Sequence, residues 1–401
     1  MLTLDKIYHA AYVLKSVVRP TDLIPAPNIQ PDSHIYLKTE NLQVTGSFKV
    51  RGAYYKISQL SEAEKANGVI ACSAGNHAQG VALAAAKAGI RALICLPDGA
   101  PISKVEATKR YGAEVQLVKG VYDDAYNRAM ALQAETGAAF IHPFDDEAVI
   151  AGQGTIGLEI LDELPEVDAV IVPIGGGGLI SGVAFAMKSL RPEVKVYGVQ
   201  AAGAASMFRS VKDHSITTIE DVSTVADGIQ VKTPGKLTFD LCSRYVDQVV
   251  TVTDDEIATA ILTLIEQQKL IAEGAGAVSV AAAMFSGKLD LAGKHVVCLV
   301  SGGNIDVSIL SKVISRGLMK TGRTLDLTVE LVDKPGQLTD IAKLVADTGA
   351  NVVGVYHDKA DMDMEITSCF LRITMETRDF AHIEEIRRKV EKKGYRIVAM
   401  R

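Results

Sequence analysis

Ala169-Val-Ile-Val-Pro-Ile-Gly-Gly-Gly-Gly-Leu-Ile-Ser181 decides how the chain is read. Its first half is an apolar run without polar alternation, which predicts a strand at Ala169–Ile174 covered on both faces. The four glycines Gly175–Gly178 follow at once, and a helix-like segment, Leu179–Leu190, follows them. Backbone N–H groups in such a turn can converge on one phosphate, aided by the helix dipole. A flexible hinge is the plainer alternative. The dinucleotide spacing G-x-G-x-x-G fails, because Ile180 stands where its third glycine would be.

The same alternation extends outward from Ile35 to about Ser315. Strand-like runs fall at Ile35–Glu40, Val69–Ser73, Ala92–Leu96, Val115–Val118, Ala139–His142, Val196–Gln200 and Val296–Val300. Ala-rich helix-like stretches separate them, including Ala78–Ala88 and Ala125–Thr136. This predicts an α/β fold with mostly parallel sheets. The pattern changes near Thr321, where Met319-Lys-Thr-Gly-Arg-Thr324 reads as a linker, 319–324. From 325 to 401 the order is strand Leu325–Leu331, helix Gln337–Thr348, strands Asn351–His357 and Ser368–Met375, helix Phe380–Lys393 and strand Tyr395–Met400. That β-α-β-β-α-β order predicts a ferredoxin-like domain.

Composition sets the limits. A chain of 401 residues, 48% hydrophobic, is too long for one ordinary core. A net charge of -6 supplies no basic field to attract nucleic acid or an anionic membrane. The five cysteines, Cys72, Cys95, Cys242, Cys298 and Cys369, contain no C-x-x-C pair. They predict neither a disulfide framework nor a zinc site, and a reducing, cytoplasmic setting. No apolar run reaches the roughly 18 residues of a membrane span. The opening Met1–Leu14 reads as an amphipathic helix and lacks the basic start of a signal peptide.

Three more clusters sit on or beside strand ends, where ligands gather in parallel sheets. Val44-Thr-Gly-Ser-Phe-Lys-Val-Arg-Gly-Ala53 sets Lys49 between apolar Phe48 and Val50. Partial desolvation lowers a lysine pKa and frees the amine as nucleophile or base; surface decoration is the other reading. Ser73-Ala-Gly-Asn-His-Ala-Gln-Gly80 opens a helix and suits a carboxylate, although Ser73 or Asn76 also makes an ordinary N-cap. It is not a P-loop, since Val81 and Ala82 replace the Lys-[Ser/Thr] pair. In Val300-Ser-Gly-Gly-Asn304, Ser301 is either a helix cap or a hydroxyl at the base of a cofactor. An amine-reactive, phosphorylated cofactor uses all four clusters. No metal-ligand cluster and no Ser-His-Asp arrangement accompanies them.

These four motifs, in this order, resemble the fold-type II pyridoxal-phosphate enzymes, and among them the threonine dehydratases (threonine ammonia-lyases). The tail, with its Asp333-Lys-Pro-Gly-Gln-Leu338 turn, resembles an ACT domain. The resemblance implies a catalytic domain over 1–318, with a small subdomain at about 44–152 inserted in the large one, and an ACT-like regulatory domain over 325–401. It implies that Lys49 bears pyridoxal 5'-phosphate, that Phe48 packs near the ring, and that Asn76 bonds the ring's 3′ oxygen. Gly175, Gly176, Gly177, Gly178 and Leu179 would cradle the phosphate, and Ser301 would face the pyridine nitrogen. Ser73, Ala74, Gly75, Asn76 and His77 would hold the substrate carboxylate.

The implied reaction is β-elimination from L-threonine to 2-oxobutanoate and ammonia, opening isoleucine biosynthesis. An amino-acid effector, isoleucine first, and a homo-oligomer (dimer or tetramer) are implied as partners. Serine dehydratase, serine racemase and threonine synthase are the rivals on this scaffold; a non-catalytic amino-acid sensor is a distant one. Serine racemase-like relatives hold a divalent cation through an acidic pair after a Tyr-x-x-Glu strand. Here that strand reads Tyr197-Gly-Val-Gln200 and the second position is Ser206, so no such cation is expected. Glu273 is a further candidate for the active-site region.

Overall fold

The computed structural model describes residues 1–100, 102–285, 287, 289–358 and 367–401. It divides into two compact units, Met1–Asp306 and Val307–Arg401. The catalytic part was expected to run to 318. Instead the helix Val307–Lys320 falls with the second unit, where it packs on the first strand of that unit's sheet.

In the first unit the strands are β1 (Leu23–Pro25), β2 (His34–Lys38), β3 (Val69–Cys72), β4 (Ala92–Pro97), β5 (Glu114–Val118), β6 (Ala139–Phe140), β7 (Ala169–Pro173), β8 (Lys195–Ala201), β9 (Gln248–Val252) and β10 (His295–Leu299). The larger sheet has the order β1-β2-β10-β7-β8-β9, parallel except for β1. The smaller sheet, β5-β4-β3-β6, is parallel throughout. Every residue of β3 and β7 is buried, because helices cover both faces. The chain lays down β2, leaves to build the smaller sheet, and returns to the larger one at β7. The opening helix, Leu4–Leu14, is capped by Thr3 and buries Ile7, Ala10 and Leu14. Among the described residues, no helix is long and apolar enough to cross a membrane.

The link between the two sheets runs through a close helix contact. Helix Lys49–Ser58 lies against helix Glu147–Glu163 at Gly52 and Gly152. A Cβ on Gly152 would stand 2.7 Å from the Arg51 carbonyl oxygen and 2.7 Å from Gly52 Cα. No side chain fits there, so two glycines set the depth at which the Lys49 helix is held.

The second unit holds β11 (Thr324–Val332), β12 (Asn351–Asp358), β13 (Ser368–Glu376) and β14 (Arg396–Met400), in the antiparallel order β12-β13-β11-β14. Leu325, Leu327, Val329 and Leu331 alternate along β11 toward one face, with period 2. There they join Ile341 and Val345 of helix Gln337–Ala346 and Ile386 and Val390 of helix Phe380–Lys392. This is the split βαβ arrangement read from the sequence.

Gly152→Ala should destabilise the protein by about 1–2 kcal/mol, since overpacking against fixed backbone costs about 1–3 and Ala's better helix propensity returns up to about 1. Gly99, where an added Cβ meets nothing within 4 Å, serves as the control. Gly99→Ala should stay within about 0.5 kcal/mol. The urea midpoints of the two variants check this, and equal midpoints would remove the glycine contact as a constraint.

Candidate active site

Lys49 begins its helix just after a strained turn. Thr45 (φ 71) and Gly46 (φ 73) are both left-handed, a conformation that costs a threonine free energy and persists only when its surroundings hold it. Asn304 does so, with Nδ2 donating to the Thr45 carbonyl at 2.7 Å. Ser47 bridges to Gly302, and the Phe48 N–H donates to the Ser301 carbonyl at 3.2 Å. The lysine helix is thereby tied to the end of β10.

The Lys49 ammonium donates to the Pro143 carbonyl at 2.9 Å and lies 5.2 Å from the centroid of the Phe48 ring. Burial lowers its pKa to about 8, and the negative field of Glu273 pulls it partly back up. Glu273 is 4% exposed. Burial pushes its carboxyl up to about 7, the nearby Asp227 adds to this, and a hydrogen bond from Asn76 opposes it. That bond runs from Asn76 Nδ2 to Glu273 Oε1 at 2.6 Å. Asn76 Oδ1 accepts from Asn304 Nδ2 at 2.8 Å. Glu273, Asn76, Asn304 and Thr45 thus form one chain of hydrogen bonds across four segments. Asn76 Nδ2 carries a second N–H donor.

The pocket expected around Ser73–His77 sits at the N-terminus of helix Asn76–Ala88. Ser73 Oγ accepts from the Gly75 N–H at 3.2 Å. The His77 side chain lies elsewhere: it is buried, Nε2 meets the Ile141 carbonyl at 2.8 Å, and burial lowers its pKa to about 3. His77 therefore reaches the pocket through its backbone alone.

The glycine loop ends β7 and opens helix Gly178–Leu190, with Gly177 at φ 99 and Leu179 in the first turn. Thr238 Oγ1 donates to the Gly176 carbonyl at 2.6 Å. A Cβ on Gly176 would stand 2.4 Å from the Phe144 ring, and one on Gly178 would stand 2.9 Å from Phe144 Cα. Only bare backbone fits this cradle. Ser301 is 2% exposed, and its Oγ donates to the Ala275 carbonyl at 3.3 Å. Ser47 Oγ, two residues from Lys49, is buried without a hydrogen-bond partner. An amine that is readily neutral, a side-chain-free loop at a helix N-terminus and an unsatisfied hydroxyl fit a phosphorylated aldehyde.

Two features were not legible in advance. The segment Ile141–Asp146 binds His77 and Lys49, covers the glycine loop, and caps two helices. Asp145 accepts from the N–H groups of Lys236, Leu237 and Thr238 at 3.0, 3.0 and 3.1 Å; Asp146 caps helix Glu147–Glu163. The Asp-Asp pair before a helix-like run was its one available signal. The other feature is Arg51, fully buried two residues beyond Lys49. Its guanidinium grips Glu40 through Nε and Nη2, both at 2.8 Å, and also bonds Glu159 and Thr155.

Gln200 Oε1 accepts from the Phe208 N–H at 2.7 Å and Ser206 Oγ donates to the Val231 carbonyl at 2.7 Å.

Comparison with known proteins places this geometry. Residues 14–302 match the family described as pyridoxal-phosphate dependent enzyme. An L-threonine ammonia-lyase of Thermotoga maritima is 50% identical over 399 residues, 99% of each chain. Among solved structures, maize serine racemase is similar with a TM-score of 0.75 at 35% identity, covering 80% of this chain and 98% of its own. The processed threonine deaminase isoform 2 of Solanum lycopersicum has a TM-score of 0.73 at 37% identity, covering 78% and 94%.

The reactivity of Lys49 in the cofactor-free protein should rise with pH through a midpoint near 8, read by competitive acylation and mass spectrometry. Glu273→Gln removes a negative charge that favours the ammonium, so it should move that midpoint lower. A midpoint near 10.5 in both proteins, the ordinary lysine value, would contradict the burial argument.

Proposed function

The chain belongs to the pyridoxal-phosphate dependent enzyme family, and on that premise we propose that it is an L-threonine ammonia-lyase. It converts L-threonine to 2-oxobutanoate and ammonia by β-elimination. The observation that carries the reading is the buried Lys49 amine, with a pKa near 8, facing the Pro143 carbonyl. Pyridoxal phosphate, when bound, supplies the electron sink and the carbonyl carbon that amines attack.

The chain's own groups do the rest. Lys49 would hold the cofactor, and its Nζ would take the proton from the substrate Cα; the Pro143 carbonyl accepts from that amine at 2.9 Å and orients it. Gly175–Gly178 and Leu179 offer backbone N–H groups and the helix dipole to the phosphate. Phe48 would lie beside the cofactor, and Asn76 would offer it an N–H. Backbone N–H groups over Ser73–His77 hold the substrate carboxylate. Ser301 bears on which reaction wins. A hydroxyl beside the cofactor would not hold a proton on it as a carboxylate would, which would favour loss of the β-hydroxyl over transamination.

Threonine and serine differ in this site by one methyl, worth about 1–3 kcal/mol. The nearly full-length identity to an L-threonine ammonia-lyase supports threonine; the similarity to maize serine racemase keeps serine as the second reading. We place the reaction at the start of isoleucine synthesis and in the cytoplasm. No disulfide joins the cysteines among the described residues, which supports a reducing compartment.

We read the second unit as an ACT-like regulatory domain that binds isoleucine and pairs with a second copy. Its sheet order supports this, as do the exposed Val353 and Val355 on β12. The Asp333–Leu338 turn of the ACT resemblance lines a cavity of about 310 Å³.

Lys49→Ala should abolish both the visible absorbance that develops on adding pyridoxal phosphate and the release of 2-oxobutanoate. Survival of either would overturn the assignment. Ser301→Asp should raise the share of turnovers lost to transamination; an unchanged partition would defeat the Ser301 argument. Titrating isoleucine should shift the threonine saturation curve of the full chain and leave unmoved that of a chain ending at Asp306.

A further inference from the structure

We propose that Asp333, His357 and Cys369 form a binding site for a transition-metal dication of the zinc class, open on one side to a cavity. The site lies wholly in the second unit.

Three segments bring the donors together. Asp333 follows β11, and its N–H donates to the Thr367 carbonyl at 2.9 Å, which anchors the turn. His357 on β12 pairs across the ladder with Leu371 on β13. Cys369 lies two residues from Leu371, at the diagonal position on the same face. His357 Nε2 stands 2.9 Å from Cys369 Sγ. One carboxylate oxygen, one ring nitrogen and the sulfur all lie within 4.8 Å of one another. In a tetrahedral zinc site, with Zn–S about 2.3 Å and Zn–N about 2.1 Å, the sulfur and nitrogen are about 3.6 Å apart. The observed group reaches that spacing by shifts of about an ångström. Asp333 and His357 are exposed side chains that can move, while Cys369 is buried.

The donor set selects the ion. Imidazole with thiolate is too soft for calcium or magnesium and suits zinc. A thiolate and a carboxylate together neutralise a dication. Three protein ligands leave a fourth position for water or a small ligand, as in zinc sites that are not closed. The same three residues line the cavity of about 310 Å³, together with Val332, Lys334 and the Pro335–Leu338 turn. Lys334 on that wall complements an anionic oxygen in the fourth position. The cysteine spacing gave no sign of this, because only one of the donors is a cysteine and the others come from separate elements.

The test uses the full-length holoenzyme, dialysed against a chelator and titrated with Co²⁺. Cobalt takes zinc's coordination and absorbs in the near ultraviolet when bound to thiolate. The expected result is one Co²⁺ per chain with that band, lost on adding Zn²⁺. Asp333→Asn and His357→Gln should each weaken cobalt binding by at least about tenfold. Cys369→Ser should abolish the band. Because Cys369 is buried, the two exposed variants decide the matter if that protein fails to fold. Absence of the band in the unsubstituted enzyme, or its persistence at unchanged affinity in His357→Gln, would overturn the proposal and leave a hydrogen-bonded trio.

Discussion

Arg51 and Glu40 form a doubly hydrogen-bonded ion pair in which neither side chain is exposed. The arrangement of the first unit depends on it. Glu40 stands just past β2, Arg51 lies in the helix that begins at Lys49, and Glu159, bonded to the same guanidinium, belongs to the helix that returns the chain to β7. Lys38, also fully buried, extends the network to Glu159 and Glu163. Burial alone would lower the arginine's pKa, but the two carboxylates outweigh it and hold the guanidinium charged, well above its ordinary value. Deleting one partner of such a pair strands a buried charge, at a cost of about 3–5 kcal/mol. Two apolar residues could hold the same helices together. What the ion pair adds is direction, because a two-point bond fixes the rotation of the Lys49 helix about its axis.

That rotation matters because the Lys49 environment is a balance of opposing effects. Burial removes the proton from the amine and the Glu273 field returns it. At Glu273, burial holds the proton on and the Asn76 bond releases it. Both groups sit near neutrality, where acid–base catalysis works best. A small turn of the helix would change both distances at once. The strained Thr45, held by Asn304, is a second brake on the same motion.

Much of this was legible in local sequence. The apolar run before Gly175–Gly178 gave strand, turn and helix together, because burial on both faces leaves no polar alternation. The βαββαβ tail was equally plain, since each of its strands or helices carries its own period. Short edge strands were not. Leu23–Pro25 spans one proline and two apolar residues, and Gln248–Val252 mixes exposed, buried and half-buried positions. The clusters around Lys49, Asn76 and Ser301 could be read because a ligand demands particular groups at strand ends. Asn304, Pro143 and the side-chain bond of His77 could not, since they depend on which distant segment arrives beside them. Glu273 carried no local pattern of its own and was a candidate only through the resemblance; its bond to Asn76 appears only in the fold.

The order of strands in the larger sheet also governs when the protein can finish folding. β2 lies between β1 and β10, and His34 pairs with His295. On a ribosome, β2 must wait for almost the whole first unit to emerge before its second neighbour exists. The smaller sheet draws all its strands from Val69 to Phe140, so its pairings need none of the chain beyond them. The lysine-bearing turn, whose bonds run to Ser301, Gly302 and Asn304, is therefore among the last places to become ordered. The buried setting of the amine draws on both Pro143 and Glu273, so it is complete only when segments from across the first unit have met.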